Sequence, residues 1–87
     1  MDILLVEDEK RVASFLTEAF VADGHRVFHC ATLGALRDVI DTRTQAFDVA
    51  VLDRMLGRED SFTLIRPLKQ SFPSSAVVIL SAINSPE

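Results

Sequence analysis

The sequence predicts an α/β fold, a doubly wound parallel sheet of strand order 2-1-3-4, from three observations. Apolar runs at residues 3–6, 49–52 and 77–80 lack the alternation of a half-exposed strand, as parallel strands buried on both faces require. Between these runs lie segments whose apolar residues recur at helical spacing. Each run also stops at an acid or a hydroxyl: Glu7 and Asp8 after the first, Asp53 after the second, Ser81 after the last.

The first strand takes residues 2–6. Val12, Phe15, Leu16, Ala19 and Phe20 then mark an amphipathic helix, closed by Asp23-Gly24 because glycine takes the left-handed conformation just past a helix end. Arg26-Val27-Phe28-His29-Cys30 is polar at its first and fourth positions, which suits a short edge strand. Thr32 is the expected N-cap of a second helix that carries Leu33, Leu36, Val39 and Ile40 and ends near Thr42 or Arg43. Residues 47–52 form the third strand, with Asp53 at its end. A turn over residues 57–60 leads into a third helix marked by Phe62, Ile65, Leu68 and Phe72. Pro67 inside that helix costs about 3 kcal/mol, so the helix either kinks or starts late with Pro67 in its first turn. Pro73 ends it, and residues 76–80 make a fourth, apolar strand. Phe15, Phe20, Phe28, Phe47, Phe62 and Phe72 are expected to pack in the core, Cys30 to be a small buried group, and His25 and His29 to lie at the surface.

Right-handed crossovers and an edge-like second strand lead to the order 2-1-3-4, which sets the first and third strands side by side. Glu7, Asp8 and Asp53 then become neighbours at the carboxyl edge, where open α/β sheets bind ligands. Unshielded carboxylates raise one another's pKa, so keeping them ionised at neutral pH takes a cation. The residues therefore predict a hard, oxygen-ligated metal site containing a reactive aspartate. The plainer alternatives are Asp8 as a cap of the first helix with Glu7 complementing its dipole, Ser81 as an ordinary strand-end hydroxyl, and Arg54 and Arg58 as solvated loop cations. The fourth strand is left as an exposed apolar edge. Ser85, Pro86 and Glu87 read as a helix start, so a further helix is expected from that point.

Composition narrows the function classes. The 87 residues are expected to be a single small domain or part of one, 1–87, whose size buries roughly 60–65% of its unfolded surface. No apolar run approaches the roughly 20 residues that span a bilayer, and Met1-Asp2-Ile3 has neither a basic leader nor a cleavage site, so a cytoplasmic protein with no membrane partner is expected. A single cysteine forms no internal disulfide, and with two histidines it makes no zinc site. The net charge of -4, with basic residues scattered singly, lacks the footprint of a nucleic-acid binder, so DNA is reached only through another domain.

The chain resembles the receiver domain of bacterial two-component response regulators, most closely the winged-helix (OmpR-type) subgroup. The resemblance rests on Ile3-Leu4-Leu5-Val6-Glu7-Asp8-Glu9, the helix of residues 12–20 with Asp23-Gly24-His25, Phe47-Asp48-Val49-Ala50-Val51-Leu52-Asp53-Arg54-Met55-Leu56, and Val78-Ile79-Leu80-Ser81-Ala82. It implies a flavodoxin-like fold in which residues 2–87 supply the N-terminal portion, without the fourth helix, fifth strand and fifth helix. It implies that Asp53 accepts phosphate from a sensor histidine kinase or a small phosphodonor. Mg2+ would be held by Asp8 directly, Glu7 through water, and the Met55 main-chain carbonyl, and Ser81 would hydrogen-bond the phosphoryl group and move on activation. It further implies a signalling module rather than a conventional enzyme, one that assists its own phosphoryl transfer and dephosphorylation, forms a homodimer, and controls a transcription output domain outside this chain. The family's lysine has no counterpart, since Lys10 and Lys69 are the only lysines, and its usual proline and glycine after the phosphoacceptor are Gly57 and Ser61 here.

Two other functions compete. In one the chain is a non-signalling structural fragment that associates through the exposed fourth strand. In the other it is an aspartate-nucleophile phosphohydrolase, whose second aspartate belongs at position 55, where the chain has Met55.

Overall fold

Four parallel strands form the central sheet of the computed structural model, which describes residues 1–43 and 45–80. In chain order the elements are β1 (Asp2–Val6), α1 (Lys10–Ala22), β2 (Arg26–Cys30), α2 (Leu33–Thr42), β3 (Val49–Asp53), β4 (Met55–Leu56), β5 (Glu59–Asp60), a 3-10 turn (Ser61–Leu64), α3 (Ile65–Ser71) and β6 (Ala76–Leu80). The sheet runs β2-β1-β3-β6, the predicted 2-1-3-4 order with β6 as its fourth strand; β4 and β5 form a separate two-stranded hairpin. Ser81 and the expected helix start at residues 85–87 lie outside the described residues.

The strands divide the core by side-chain alternation. Leu4, Val6, Ala50 and Leu52 face α2 and α3, packing with Leu33, Leu36, Ile40, Leu64, Leu68 and Phe72. Ile3, Leu5 and Val51 face α1, where Ala13 is buried and Leu16 and Phe20 pack against them. Because both faces are covered at β1 and β3, their central residues show no polar alternation.

Chain punctuation follows the sequence closely. Gly24, past the Asp23 cap of α1, has φ +88°. Thr32 caps α2, its hydroxyl accepting from the Ala35 N–H at 3.0 Å, and Arg43 takes the left-handed conformation at the far end with φ 48°. The third helix starts late: the Asp60 carboxylate caps the 3-10 turn by accepting from the Phe62 N–H at 2.9 Å, and Pro67 then falls in the first turn of α3, where a missing N–H removes no helical bond.

Three expectations need correction. The inward stripe of α1 is Ala13, Leu16 and Phe20, not the set containing Val12, Phe15 and Ala19. Phe15 is 70% exposed because it projects from the side of α1 away from the sheet. Phe28 and Phe62 are likewise exposed: Phe28 lies on the edge strand with its ring edge-on to Phe47 at 6.1 Å, and Phe62 lies under the Arg54 guanidinium, 4.4 Å from its ring centre. Of the six phenylalanines, Phe47 and Phe72 are buried, edge-to-face at 5.5 Å. Finally, the third strand is Val49–Asp53 rather than residues 47–52, and the turn after it is the tip of the β4–β5 hairpin, with Gly57 at φ +63°.

Candidate metal centre

β1 and β3 pair in register, Leu5 with Val51 and Val6 with Leu52, so the residues that follow leave the sheet together at its carboxyl edge. One carboxylate oxygen from each of Glu7, Asp8 and Asp53 lies within 4.8 Å of the others, the convergence the sequence predicts. Two oxygens on a shared hard cation at about 2.1–2.5 Å are at most about 4–5 Å apart, so the spacing and the all-oxygen donor set fit a hard divalent cation.

Each acid is held differently. Glu7 is only 4% exposed. Its N–H donates to the Cys30 carbonyl at 3.0 Å, extending the β1–β2 ladder by one residue, and its Oε2 accepts from the Glu9 N–H at 3.0 Å. The Glu7 carbonyl meets His29 Nε2 at 2.7 Å; since a carbonyl only accepts, that nitrogen carries the proton. Burial raises the Glu7 carboxyl above its ordinary pKa, and the neighbouring charge of Asp53, a hydrogen bond shared with it, and the charge of Asp8 push in the same direction. The Glu9 N–H opposes this only in part.

Asp8 is exposed and does not cap α1, whose N-cap is Glu9 with no side-chain bond. Its Oδ2 instead accepts from the Gly57 N–H at 2.9 Å, tying the β4–β5 hairpin to the acidic cluster. Asp53, half-buried, ends β3, and the following Arg54 N–H donates to the Leu80 carbonyl at 3.3 Å. Met55 stands two residues on, opposite Asp60 in the hairpin. Arg54 is not a free cation, since it stacks on Phe62 and approaches Asp60 at 3.4 Å.

Two contributors escaped the sequence. Gly57 is legible as a turn residue but not as a donor to Asp8. Ser61 stood out only as a departure from the family's usual glycine, not as a hydrogen-bonding group, yet it is wholly buried and its hydroxyl donates to the Asp53 carbonyl at 2.7 Å.

Residues 3–87 match the response regulator receiver domain family. No curated protein matches the chain. Among solved structures, a response regulator from Burkholderia pseudomallei, described with a phosphorylated aspartic acid, a calcium ion and citrate, superposes with a TM-score of 0.85 at 20% identity, over 92% of this chain and 46% of that one. The non-phosphorylated HemR receiver domain from Leptospira biflexa gives 0.83 at 28% identity, over 98% and 67%. DrrB of Thermotoga maritima, an OmpR/PhoB homolog, gives 0.73 at 26%, over 94% and 36%. The chain thus spans about half or less of two of these and two thirds of the third. With a matching family profile over nearly every residue and the parallel β2-β1-β3-β6 sheet, the chain belongs to the response regulator receiver domains, signalling modules phosphorylated on an aspartate.

Proposed function

We propose that Asp53 is the phosphoacceptor of this receiver domain and that Glu7, Asp8, Asp53 and the Met55 carbonyl hold Mg2+. The observation that carries the reading is the meeting of Glu7, Asp8 and Asp53 within 4.8 Å at the carboxyl edge of the sheet. Hard carboxylate oxygens, few enough to leave the remaining positions on the ion to water and phosphate oxygens, suit Mg2+.

An oxygen of Asp53 attacks the phosphorus of a phosphohistidine on a sensor histidine kinase, or of a small phosphodonor. The bond to the leaving group breaks as the aspartyl oxygen–phosphorus bond forms, and the departing imidazole takes up a proton. Mg2+ held by these acids would supply positive charge to offset that of the transferring group. Asp8, presented by the Gly57 N–H, ligates directly, while buried Glu7 orients a water. Ser81 hydrogen-bonds the phosphoryl oxygen and relays its arrival. In dephosphorylation a water attacks the phosphorus at the same site, the aspartyl oxygen–phosphorus bond breaks, and inorganic phosphate leaves with the Asp53 carboxylate restored. The output is transcriptional control in the cytoplasm, through a DNA-binding domain of OmpR type beyond this chain and by way of a homodimer. Among the described residues no helix is long and apolar enough to cross a membrane.

The test is incubation with acetyl phosphate and Mg2+, followed by intact-mass analysis. One added phosphoryl group on the wild type and none on Asp53→Asn is expected; an unchanged wild-type mass would end the proposal. A second reading has one observation behind it. β6 pairs only with β3 among the described residues and leaves Val78 46% exposed, an edge through which a non-signalling chain would pair with a second copy. Light scattering with Mg2+ titration separates the two, a tight dimer indifferent to Mg2+ favouring pairing.

A further inference from the structure

Ser61 has no access to solvent, and both of its polar main-chain and side-chain donors turn back on the end of β3. Its hydroxyl donates to the carbonyl of Asp53 at 2.7 Å, and its N–H donates to the carbonyl of Arg54 at 2.7 Å. Two short bonds from one residue to two successive peptides close the 54–60 loop at its base. Ser61 is itself anchored, because the Asp60 carboxylate accepts from the Phe62 N–H at 2.9 Å and the Asp60 carbonyl accepts from the Thr63 hydroxyl at 3.0 Å.

The clasp acts on the acidic cluster along two routes. One is immediate, since the peptide carbonyl it grips belongs to Asp53, whose carboxylate is two bonds from that backbone. The other runs through the loop, which carries Met55 and ends its reach at the Gly57 N–H on Asp8 Oδ2. A buried hydroxyl is costly unless it is bonded, so its place here fixes one conformation of the loop base rather than merely tolerating it.

We propose that Ser61 is a positioning residue for Asp53. Its hydroxyl holds the peptide bearing the phosphoacceptor, and the Met55 carbonyl with it, in the geometry that binds the cation and reacts. This rests on the phosphoacceptor reading of Asp53. Partners that orient metal ligands typically change affinity or activity by about 10–100-fold when lost, and small misplacements cost comparable factors in rate.

The experiment compares wild type, Ser61→Ala, Ser61→Gly and Ser61→Thr as full chains. Mg2+ affinity is measured by calorimetry, phosphorylation against acetyl phosphate concentration by intact mass, and folding by thermal melting. In folded Ser61→Ala and Ser61→Gly the maximal phosphorylation rate should fall about 10-fold with the half-saturating donor concentration unchanged, and Mg2+ affinity should fall several-fold. Ser61→Thr, which keeps the hydroxyl, should recover both. If its extra methyl prevents folding, agreement between the alanine and glycine variants, which add no volume, decides the matter. Wild-type rate and Mg2+ affinity in folded Ser61→Ala would overturn the proposal, as would a rate loss that only tracks the unfolded fraction. A wild type that binds Mg2+ but takes no phosphate sinks the phosphoacceptor reading separately, and Ser61 then stands or falls on Mg2+ affinity.

Discussion

Replacing Asp53 with asparagine should stabilise the metal-free protein. The oxygens of Glu7 and Asp53 lie within 4.8 Å, and two unit charges at that distance repel by about 0.9 kcal/mol in water and about 3.5 kcal/mol at an effective dielectric constant near 20. Solvent reaching Asp53 screens much of this, leaving roughly 1–2 kcal/mol at neutral pH. For a domain this small, each kcal/mol moves the melting temperature by about 4–8 °C. The asparagine amide keeps the shape of the carboxylate and can donate to Glu7, so repulsion is exchanged for a hydrogen bond. The pH dependence has a definite sign. Because the folded-state pKa of Glu7 lies above its ordinary value of 4.5, the folded state binds more protons than the unfolded one between the two values, and the wild type loses stability as pH rises through that window. The advantage of Asp53→Asn should therefore shrink as the pH is lowered into the carboxylate range. Mg2+ should narrow the gap: at ten times its dissociation constant it adds about 1.4 kcal/mol to the wild type, and the variant gains less. Urea denaturation in EDTA and in Mg2+, at pH 7.5 and at pH 5, reads all of this. A variant no more stable than wild type in EDTA at pH 7.5, or stabilised equally by Mg2+, would refute the reasoning.

Three further outcomes are expected. Gly57→Ala, placed at φ +63° with nothing within 4 Å of the added carbon, should cost about 1 kcal/mol by urea denaturation from backbone strain alone, and should weaken Mg2+ binding if the hairpin shifts its N–H away from Asp8. Thr32→Ala removes the hydroxyl that caps α2 and should cost about 1 kcal/mol by the same assay. The Cys30 thiol, buried beside Asp38 and pushed up to about 11 chiefly by burial, should resist thiol-labelling reagents at pH 8 until the chain is denatured; rapid labelling of the native protein would contradict its burial.

Much of the fold was legible because parallel strands buried on both faces leave uninterrupted apolar runs, and because caps use few residue types. Residues 49–52, the Thr32 cap and Gly24 were readable for these reasons, while Pro67 left a kink and a late start both open and the structure shows the late start. The face of α1 was less so. Val12, Phe15 and Ala19 fit a helical spacing as well as Ala13, Leu16 and Phe20 do, and only the position of the sheet shows which stripe it covers. Phe62 misled because aromatic residues bury well in general, whereas this one serves as a platform for Arg54.

For the candidate centre, local sequence determined which acids end strands: Glu7, Asp8 and Asp53 announce themselves by following apolar runs. That they share one edge follows from strand order, which crossover handedness and the polar, edge-like second strand predicted. Tertiary structure alone decided how each is held: Glu7 buried beside Asp53, Asp8 turned to Gly57 across the site rather than capping its own helix, and Asp53 gripped at its carbonyl by Ser61. The physical reason is range. Strand, helix and cap preferences act over a few neighbouring residues and are written in local spacing, while a hydrogen bond between Asp8 and Gly57 depends on where two distant backbones come to rest.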